Sequence, residues 1–379
     1  MKHVHVCVAG TQPLLSRDGG AVQRRIIELA RAQVSLGHDV VACSAGPVDR
    51  MTNVDGVHVR EIRCVAPMPW RHAEYLCRVA AMIGRLSQRA VVGFHGQPEG
   101  SFIAHRLGHA SVLFYDDFYY RAGRYAVSRD IYRRMLRSFD LLLPCSRFCL
   151  EMSRAFWGLQ GATTSVQYNG VNLDQFRPDP EAGERERRRL GISGPIALYV
   201  GRVNEQKGTD LLLESWPALR LRVPDATLVI AGPIGQFGEA GRARDDESWR
   251  KRIARVGGFY LGAVDESRLA SVYNMADVFV MPTRRLEMFG MAAVEAQACG
   301  TPVIASDHGG LRETVPRRCG GRFPSGDAAA LSRQLQRLLT DTAERAACAE
   351  ASIMNARRFS WDRIAQGLER SYVKAGIYG

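Results

Sequence analysis

Two glutamates stand eight residues apart in the stretch RRLEMFGMAAVEAQACGTPVIASDHGG, residues 284–310. Glu287 precedes an apolar segment that opens on Met288, Phe289, Gly290 and Met291, and Glu295 lies about a turn and a half inside it. The run before them, ADVFVMP, is strand-like, and GMAAVEAQAC reads as a helix closing at Gly300. A helix that starts where a strand ends offers free backbone N–H groups and the positive end of its dipole. Phosphate is the group such an end binds. Gly290 lets a ligand approach the backbone closely, and a carboxylate on each side accepts hydrogen bonds from hydroxyls. With 1.5 Å of rise per residue the two carboxylates are roughly 10 Å apart, which spaces sugar hydroxyls, a diphosphate and ribose hydroxyls in that order. Glu239 and Glu247 share the spacing but sit in the polar stretch EAGRARDDE with no strand before it, and we read that pair as coincidence.

Positive charge for a diphosphate must come from elsewhere, and YVGRVNEQKG supplies it: Arg202 follows a strand, and Lys207 stands five residues later at a helix start. Arginine gives a planar fork and lysine a point charge, a suitable pair for a departing phosphate. Either one alone would read as an exposed loop charge. His95, in FHG, is the histidine best placed at a strand end for catalysis, although a lone histidine is as often structural. Tyr115, Asp116 and Asp117 open an acidic, aromatic loop in SVLFYDDFYYR. It suits a cationic or amino-bearing acceptor such as a small aminocyclitol, unless the two aspartates only cap the next helix. In RYAVSRDIYRRMLRSFD, Arg124, Arg129, Arg133, Arg134 and Arg137 give a different expectation: a lipid-linked acceptor and peripheral contact with an anionic membrane face. The glycines of AGPIGQFGEAG follow a late strand and open no convincing helix, so they make no dinucleotide fingerprint.

These residues need elements to hold them. The chain has 379 residues, 46% hydrophobic and 24% charged, more than one core usually organises, so two domains are expected. HVHVCVAG alternates at period two, a glycine loop follows, and AVQRRIIELARAQVSLG repeats at helical spacing. HDVVACSA, RAVVGFHG, SVLFYDD and DLLLPCS continue a strand–helix alternation, the pattern of a parallel sheet covered on both faces. The rhythm breaks near TTSVQYNGVNLDQFRPDP and restarts at PIALYVGR, ATLVIAGP, GGFYLGAV, ADVFVMPT and PVIASD. The expected domains are 1–172 and 173–360. The amphipathic tail 361–379 either crosses back onto the first domain or caps the second. Ligands of such doubly wound sheets lie at the carboxyl ends of the strands.

Composition narrows the partners. The net charge is +12, with 21 basic against 13 acidic residues over 1–172 and 30 against 26 over 173–379. Only four of the 51 basic residues are lysines, so the arginine content is partly a compositional habit and the excess reads first as a solvated surface. No nucleic-acid reading motif accompanies it, and no nucleic-acid partner is expected. No apolar run reaches the ~20 residues of a membrane span. The start, MKHVHVCVAGTQ, lacks a secretory pattern, so a cytoplasmic location, peripheral to the inner membrane face at most, is expected. Nine cysteines without a Cys-x2-Cys pair fit a reducing compartment and give no zinc signature.

In this order, DGG, FHG, YNGVNLDQF, GRVNEQKG, FYLGAV, YNMADVFVMPT, EMFGMAAVE and GTPVIAS resemble the family-4 retaining glycosyltransferases of the GT-B fold almost end to end. The resemblance implies two doubly wound Rossmann-like domains facing across a cleft. It also implies transfer of a hexosyl unit with retained anomeric configuration, from a nucleotide diphosphate sugar (UDP favoured) to a hydroxyl of a small-molecule, glycan or lipid-linked acceptor. Members work without cofactor or metal, because arginine, lysine and a helix dipole take a cation's place. By the same resemblance Arg202 and Lys207 stabilise the leaving diphosphate, and Glu295 holds the ribose. Glu287, with the amides of Phe289 and Gly290, holds the sugar hydroxyls. Gly19 and Gly20 let the first domain's loop approach the diphosphate, and Gly232 lies near the base. Two departures stand out: Glu-Met-Phe-Gly replaces the usual Glu-Gly-Phe-Gly, which narrows the sugar pocket, and Tyr115-Asp116-Asp117 replaces a common His-Asp pair. A nucleotide-sugar epimerase would share the architecture, but the pairing of GRVNEQKG with EMFGMAAVE argues against it. A non-catalytic sugar-nucleotide-binding module would be expected to lose Arg202, Lys207 or a glutamate, and none is lost.

Overall fold

The structure, a computed structural model, describes residues 1–8, 13–15, 20–67, 70–115, 128–235 and 243–378. Gly19, Asp116, Asp117 and Arg124 lie outside the described residues, and with them the expectations placed on those four. The chain divides into two compact units, Met1–Gly170 together with Trp361–Gly379, and Val171–Ser360.

The first unit is built on strands β1 (Lys2–Val6), β2 (Asp39–Gly46), β3 (Arg50–Val54), β4 (Val57–Arg63), β5 (Ala90–His95), β6 (Ala110–Tyr115) and β7 (Leu141–Pro144), in the order β3-β4-β2-β1-β5-β6-β7. Every pairing is parallel except β3 with β4. That hairpin escapes the sequence reading, although its turn is legible: Asp55 and Gly56 take φ of 50° and 85°, as a two-residue turn of type I′ requires. Strands β5, β6 and β7 are buried throughout, which is why they read as near-continuous apolar runs. The tail helix Trp361–Lys374 packs Trp361, Ile364, Leu368 and Tyr372 into one cluster with Val112, Phe114, Leu141 and Leu143. The tail therefore supplies part of this unit's core.

The second unit carries β8 (Ile196–Val200), β9 (Thr227–Ala231), β10 (Phe259–Gly262), β11 (Val278–Met281), β12 (Val303–Ser306) and β13 (Gly320–Phe323), all parallel, in the order β10-β9-β8-β11-β12-β13. Leu211, Leu212, Trp216 and Leu219 of helix Thr209–Arg220 and Leu331, Leu335 and Leu338 of helix Ala328–Thr340 share one core with the β8 and β9 side chains. From β8 the chain winds outward through β9 and β10, then returns to β11 on the other side. The switch point is thus β8/β11 here and β1/β5 in the first unit. In such sheets the loops leaving the two central strands diverge and open a crevice.

Among the described residues no helix is long and apolar enough to cross a membrane.

Candidate functional site: a charged pair at a strand switch point

The loops leaving β8 and β11 bring together two groups separated by 80 residues: Lys207 Nζ lies 2.7 Å from Glu287 Oε2. Lys207 is held from behind. Asn204 caps the short turn Glu205–Lys207, its Oδ1 accepting from the Lys207 amide at 2.9 Å. Gly208 then takes φ 73°, and a Cβ there would lie 1.8 Å from the Pro282 carbonyl oxygen, so only glycine lets the two loops touch. Across that contact the Gln206 carbonyl accepts from the amides of Arg284 and Arg285, both at 3.1 Å, and from Thr283 Oγ1 at 3.2 Å.

Glu287 is held with equal care. Its carbonyl accepts from Gly310 N at 2.8 Å, and Thr314 Oγ1 donates to the Phe289 carbonyl at 2.8 Å. His308 Nε2 lies 2.8 Å from the Thr283 carbonyl. The loop after β12, Asp307–Gly310, therefore cradles the glutamate loop. Sequence reasoning gave it no role, and its only signal was the pair of glycines after a strand. Met288 and Phe289 are buried, so their two apolar side chains anchor this loop in the domain. Gly290, at φ 88°, opens helix Met291–Ala298, and no side chain caps that end. The N-terminal amides and the dipole therefore act beside the Lys207–Glu287 pair.

Arg202 follows β8, and its carbonyl accepts from the Tyr199 hydroxyl at 2.6 Å. Burial and, after it, the charge of Glu287 push the Tyr199 phenol above its ordinary range, with Thr209 opposing, so the hydroxyl stays a donor. Lys207 is 39% and Glu287 19% exposed, open enough to meet a solute. Glu295 differs: it is 3% exposed, and its Oε2 accepts from the Tyr273 hydroxyl at 2.8 Å. The structure places Glu295 in the body of the unit, with Tyr273 as a partner that no spacing rule pointed to. Gly232 follows β9, its carbonyl accepting from the Tyr260 hydroxyl at 2.9 Å, and a Cβ there would lie 2.0 Å from the Gly201 carbonyl oxygen. The glycines after β8 and β9 thus pack backbone on backbone.

In the first unit Gly20 caps helix Ala21–Ser35, and its amide donates to Gln23 Oε1 at 3.0 Å. Tyr115 ends β6, with burial pushing its phenol up. His95 ends β5 at 1% exposure and stacks on Phe114 at 4.5 Å between ring centroids. Both of its nitrogens are engaged, Nε2 with His5 Nδ1 at 3.0 Å and Nδ1 with Arg25 Nη2 at 2.9 Å. Burial, then the charge of Arg25, holds it well below the usual imidazole value. Sequence reasoning singled out neither His5 nor Arg25. The period-two alternation of HVHV placed His3 and His5 on one face, but not which helix would cover it.

The family described as Glycosyl transferases group 1 matches residues 183–354, and the one described as Glycosyltransferase Family 4 matches residues 19–175, so the two span both units. The chain belongs to glycosyltransferase family 4. The D-inositol 3-phosphate glycosyltransferase of Salinispora arenicola is 37% identical over 233 residues, 55% of this chain and 49% of the relative. The chain spans about half the length of the curated relatives it matches. Among solved structures, sucrose-phosphate synthase from Thermosynechococcus elongatus superposes with a TM-score of 0.81 over 100% of both chains at 20% identity. Anabaena HepE in complex with UDP and glucose gives 0.76 over 98% of this chain and 99% of its own at 17% identity. At those identities the likeness establishes the fold, which is GT-B.

Proposed function

We propose that this family-4 member is a retaining hexosyltransferase that uses a nucleotide diphosphate sugar. The observation that carries the proposal is the Lys207–Glu287 pair at the β8/β11 switch point, beside an uncapped helix N-terminus. Glu287 accepts hydrogen bonds from the donor sugar hydroxyls, and the amides of Phe289 and Gly290 on the same loop donate to them. Lys207, Arg202 and the amides at Met291 face the diphosphate and gain most as negative charge builds on it in the transition state. The bond from the anomeric carbon to the phosphate oxygen breaks, and the acceptor oxygen bonds that carbon on the same face. The acceptor proton passes to the departing phosphate oxygen, so no protein nucleophile is needed. Glu295, already fixed by Tyr273, holds the ribose. With two cationic side chains and a helix end at the diphosphate, no metal is needed to stabilise the leaving group.

A uridine donor is our preferred reading, supported by the UDP bound in HepE. A hydroxyl of a small polar acceptor is supported by the D-inositol 3-phosphate named for the Salinispora relative. The test is thermal unfolding against UDP, GDP, ADP and their sugars, with and without EDTA, repeated on Arg202→Ala and Lys207→Ala. A ligand at a hundred times its Kd stabilises the folded state by ~2.7 kcal/mol. One nucleoside diphosphate should stabilise the parent and neither variant, equally with EDTA. An unmoved midpoint across the panel would remove the donor-site reading, and a shift abolished by EDTA would remove the metal-free one.

A further inference from the structure

His3 and His5 lie two apart on β1, and therefore on one face of the sheet. From the carboxyl end of β5 to the chain's tail, a continuous line of polar contacts runs along that face. Arg25 Nη2 meets His95 Nδ1 at 2.9 Å, His95 Nε2 meets His5 Nδ1 at 3.0 Å, and His5 Nε2 meets Gln33 Oε1 at 2.6 Å. Gln33 Nε2 then meets His3 Nδ1 at 3.4 Å, His3 Nε2 meets the Tyr378 hydroxyl at 3.2 Å, and that hydroxyl donates to Glu369 Oε2. All six ring nitrogens are used. Gly93, opposite His5 across the β1–β5 pairing, leaves the room: a Cβ there would lie 2.8 Å from the Phe114 ring and 3.4 Å from His5 Nδ1.

One end decides the direction of the whole line. A guanidinium has donors only, so His95 must turn a lone pair at Nδ1 toward Arg25. In a neutral imidazole the proton then sits on Nε2, where it donates to His5 Nδ1. His5 is fixed the same way and donates from Nε2 to the Gln33 carbonyl oxygen. The Gln33 amide nitrogen donates to His3 Nδ1, and His3 donates from Nε2 to Tyr378. Reversing any member would set two donors face to face. The same logic disposes of a metal reading. His3, His38 and Glu369 each bring one ligand atom within 4.8 Å of the others, but both His3 nitrogens are committed in the line, Nδ1 accepting from Gln33 and Nε2 donating to Tyr378, which leaves no lone pair to give.

We propose that Arg25, His95, His5, Gln33 and His3 form a one-way donor chain that fixes the tautomer of His95 and, through it, the position of the Arg25 guanidinium. Arg25 stands five residues beyond Gly20 on the same helix, with its Nη1 3.4 Å from Asn169 Oδ1. His95 is thereby a positioning residue: with both nitrogens committed it neither gives nor takes a proton during transfer. The part that concerns transfer rests on the hexosyltransferase reading, and the chain itself does not.

Two measurements on the intact chain test this. In 15N-histidine NMR, His3, His5 and His95 are expected as neutral rings protonated at Nε2, with none of the three titrating between about pH 5 and pH 8. A Nδ1-protonated or cationic His95 near neutral pH overturns the chain. For function, His5→Phe keeps a ring but cuts the line, whereas His5→Gln can accept from His95 and donate to Gln33. We expect His5→Phe to lower kcat by about tenfold to a hundredfold, the cost of misplacing a supporting group. The donor KM and the thermal shift given by whichever of UDP or GDP stabilises the parent should be unchanged, and His5→Gln should restore most of the rate. Full activity in His5→Phe, or a Gln variant no better than Phe, overturns the positioning role. If the parent neither binds nucleotide nor transfers sugar, the transferase reading fails while the NMR result still judges the chain.

Discussion

Both units wind a parallel sheet outward from a central strand and place their polar side chains beside the switch point, yet they treat charge in opposite ways. In the second unit, Lys207 and Glu287 meet at 2.7 Å with part of each side chain in solvent. In the first, His95 and His5 meet at 3.0 Å, both essentially buried, and burial drives both toward neutrality. A partly exposed ion pair contributes little to stability. What it supplies is charge that an anionic ligand can reorganise. A buried line of neutral rings offers no charge to a ligand, but it fixes geometry, since every lone pair has one partner. One topology therefore serves as a charge-presenting frame in one unit and as a positioning frame in the other.

The widest gap between the two should appear on removing the charge itself. Lys207→Ala should lower kcat by about 100- to 1,000-fold, the cost of losing one preorganised stabilising group in a transition state, while the unfolding midpoint barely moves. Steady-state kinetics alongside a melting curve checks both halves, and a large stability loss would mean the pair is structural after all. Next comes the frame around that pair. Gly208→Ala puts a Cβ against the Pro282 carbonyl at a positive φ, and we expect a loss above ~3 kcal/mol by urea titration. Tyr273→Phe removes one donor to the buried Glu295 carboxylate and should cost about 1.5–3 kcal/mol, with weaker nucleotide binding. A neutral result there would show that Glu295 is satisfied by other groups.

The smallest effect per group sharpens the other side of the comparison. Burial first, and then neighbouring positive charge, lowers His3 to about 2, while burial, opposed by the Gln33 bond and aided by Arg25, lowers His5 to about 4. His95 is lowered as well. Between those values and about 6.5 the unfolded chain binds protons that the folded chain refuses. Stability is therefore lost as pH falls below 6.5, down through pH 4 for His5, at up to ~1.4 kcal/mol per pH unit for each histidine. Urea titrations at pH 7, 6 and 5 on the parent and on His5→Phe give the slope, which should be shallower in the variant. Equal slopes would mean that His5 titrates as an exposed residue does.

Much of this site could be read in advance because it depends on local order. A strand, a loop with Glu287 and a helix opening at Gly290 are neighbours in sequence, and a helix end presents its amides wherever it lies. The parallel strands were legible because burial on both faces leaves unbroken apolar runs, as in AVVGFH and LLLP. The hairpin of β3 and β4 was missed because its outer strand, RMTNV, is mostly exposed and carries no apolar signal. Asp307–Gly310 and Tyr273 were missed because what they support, the backbone of Glu287 and the carboxylate of Glu295, is distant along the chain.

The sequence by itself determined the two α/β units, the family, and the residue types able to face a diphosphate sugar, because strands, caps and short motifs are set by neighbours along the chain. The pairing of Lys207 with Glu287, the burial of Glu295 against Tyr273 and the line from Arg25 to Tyr378 were decided by tertiary structure alone. Those contacts join residues from 22 to 90 positions apart, and for His3 with Tyr378 as many as 375. Over such separations no local spacing rule specifies which side chains meet. Only the packing of helices onto the sheets does, and that same packing turned His95 from a free ring at a strand end into the fixed member of a chain.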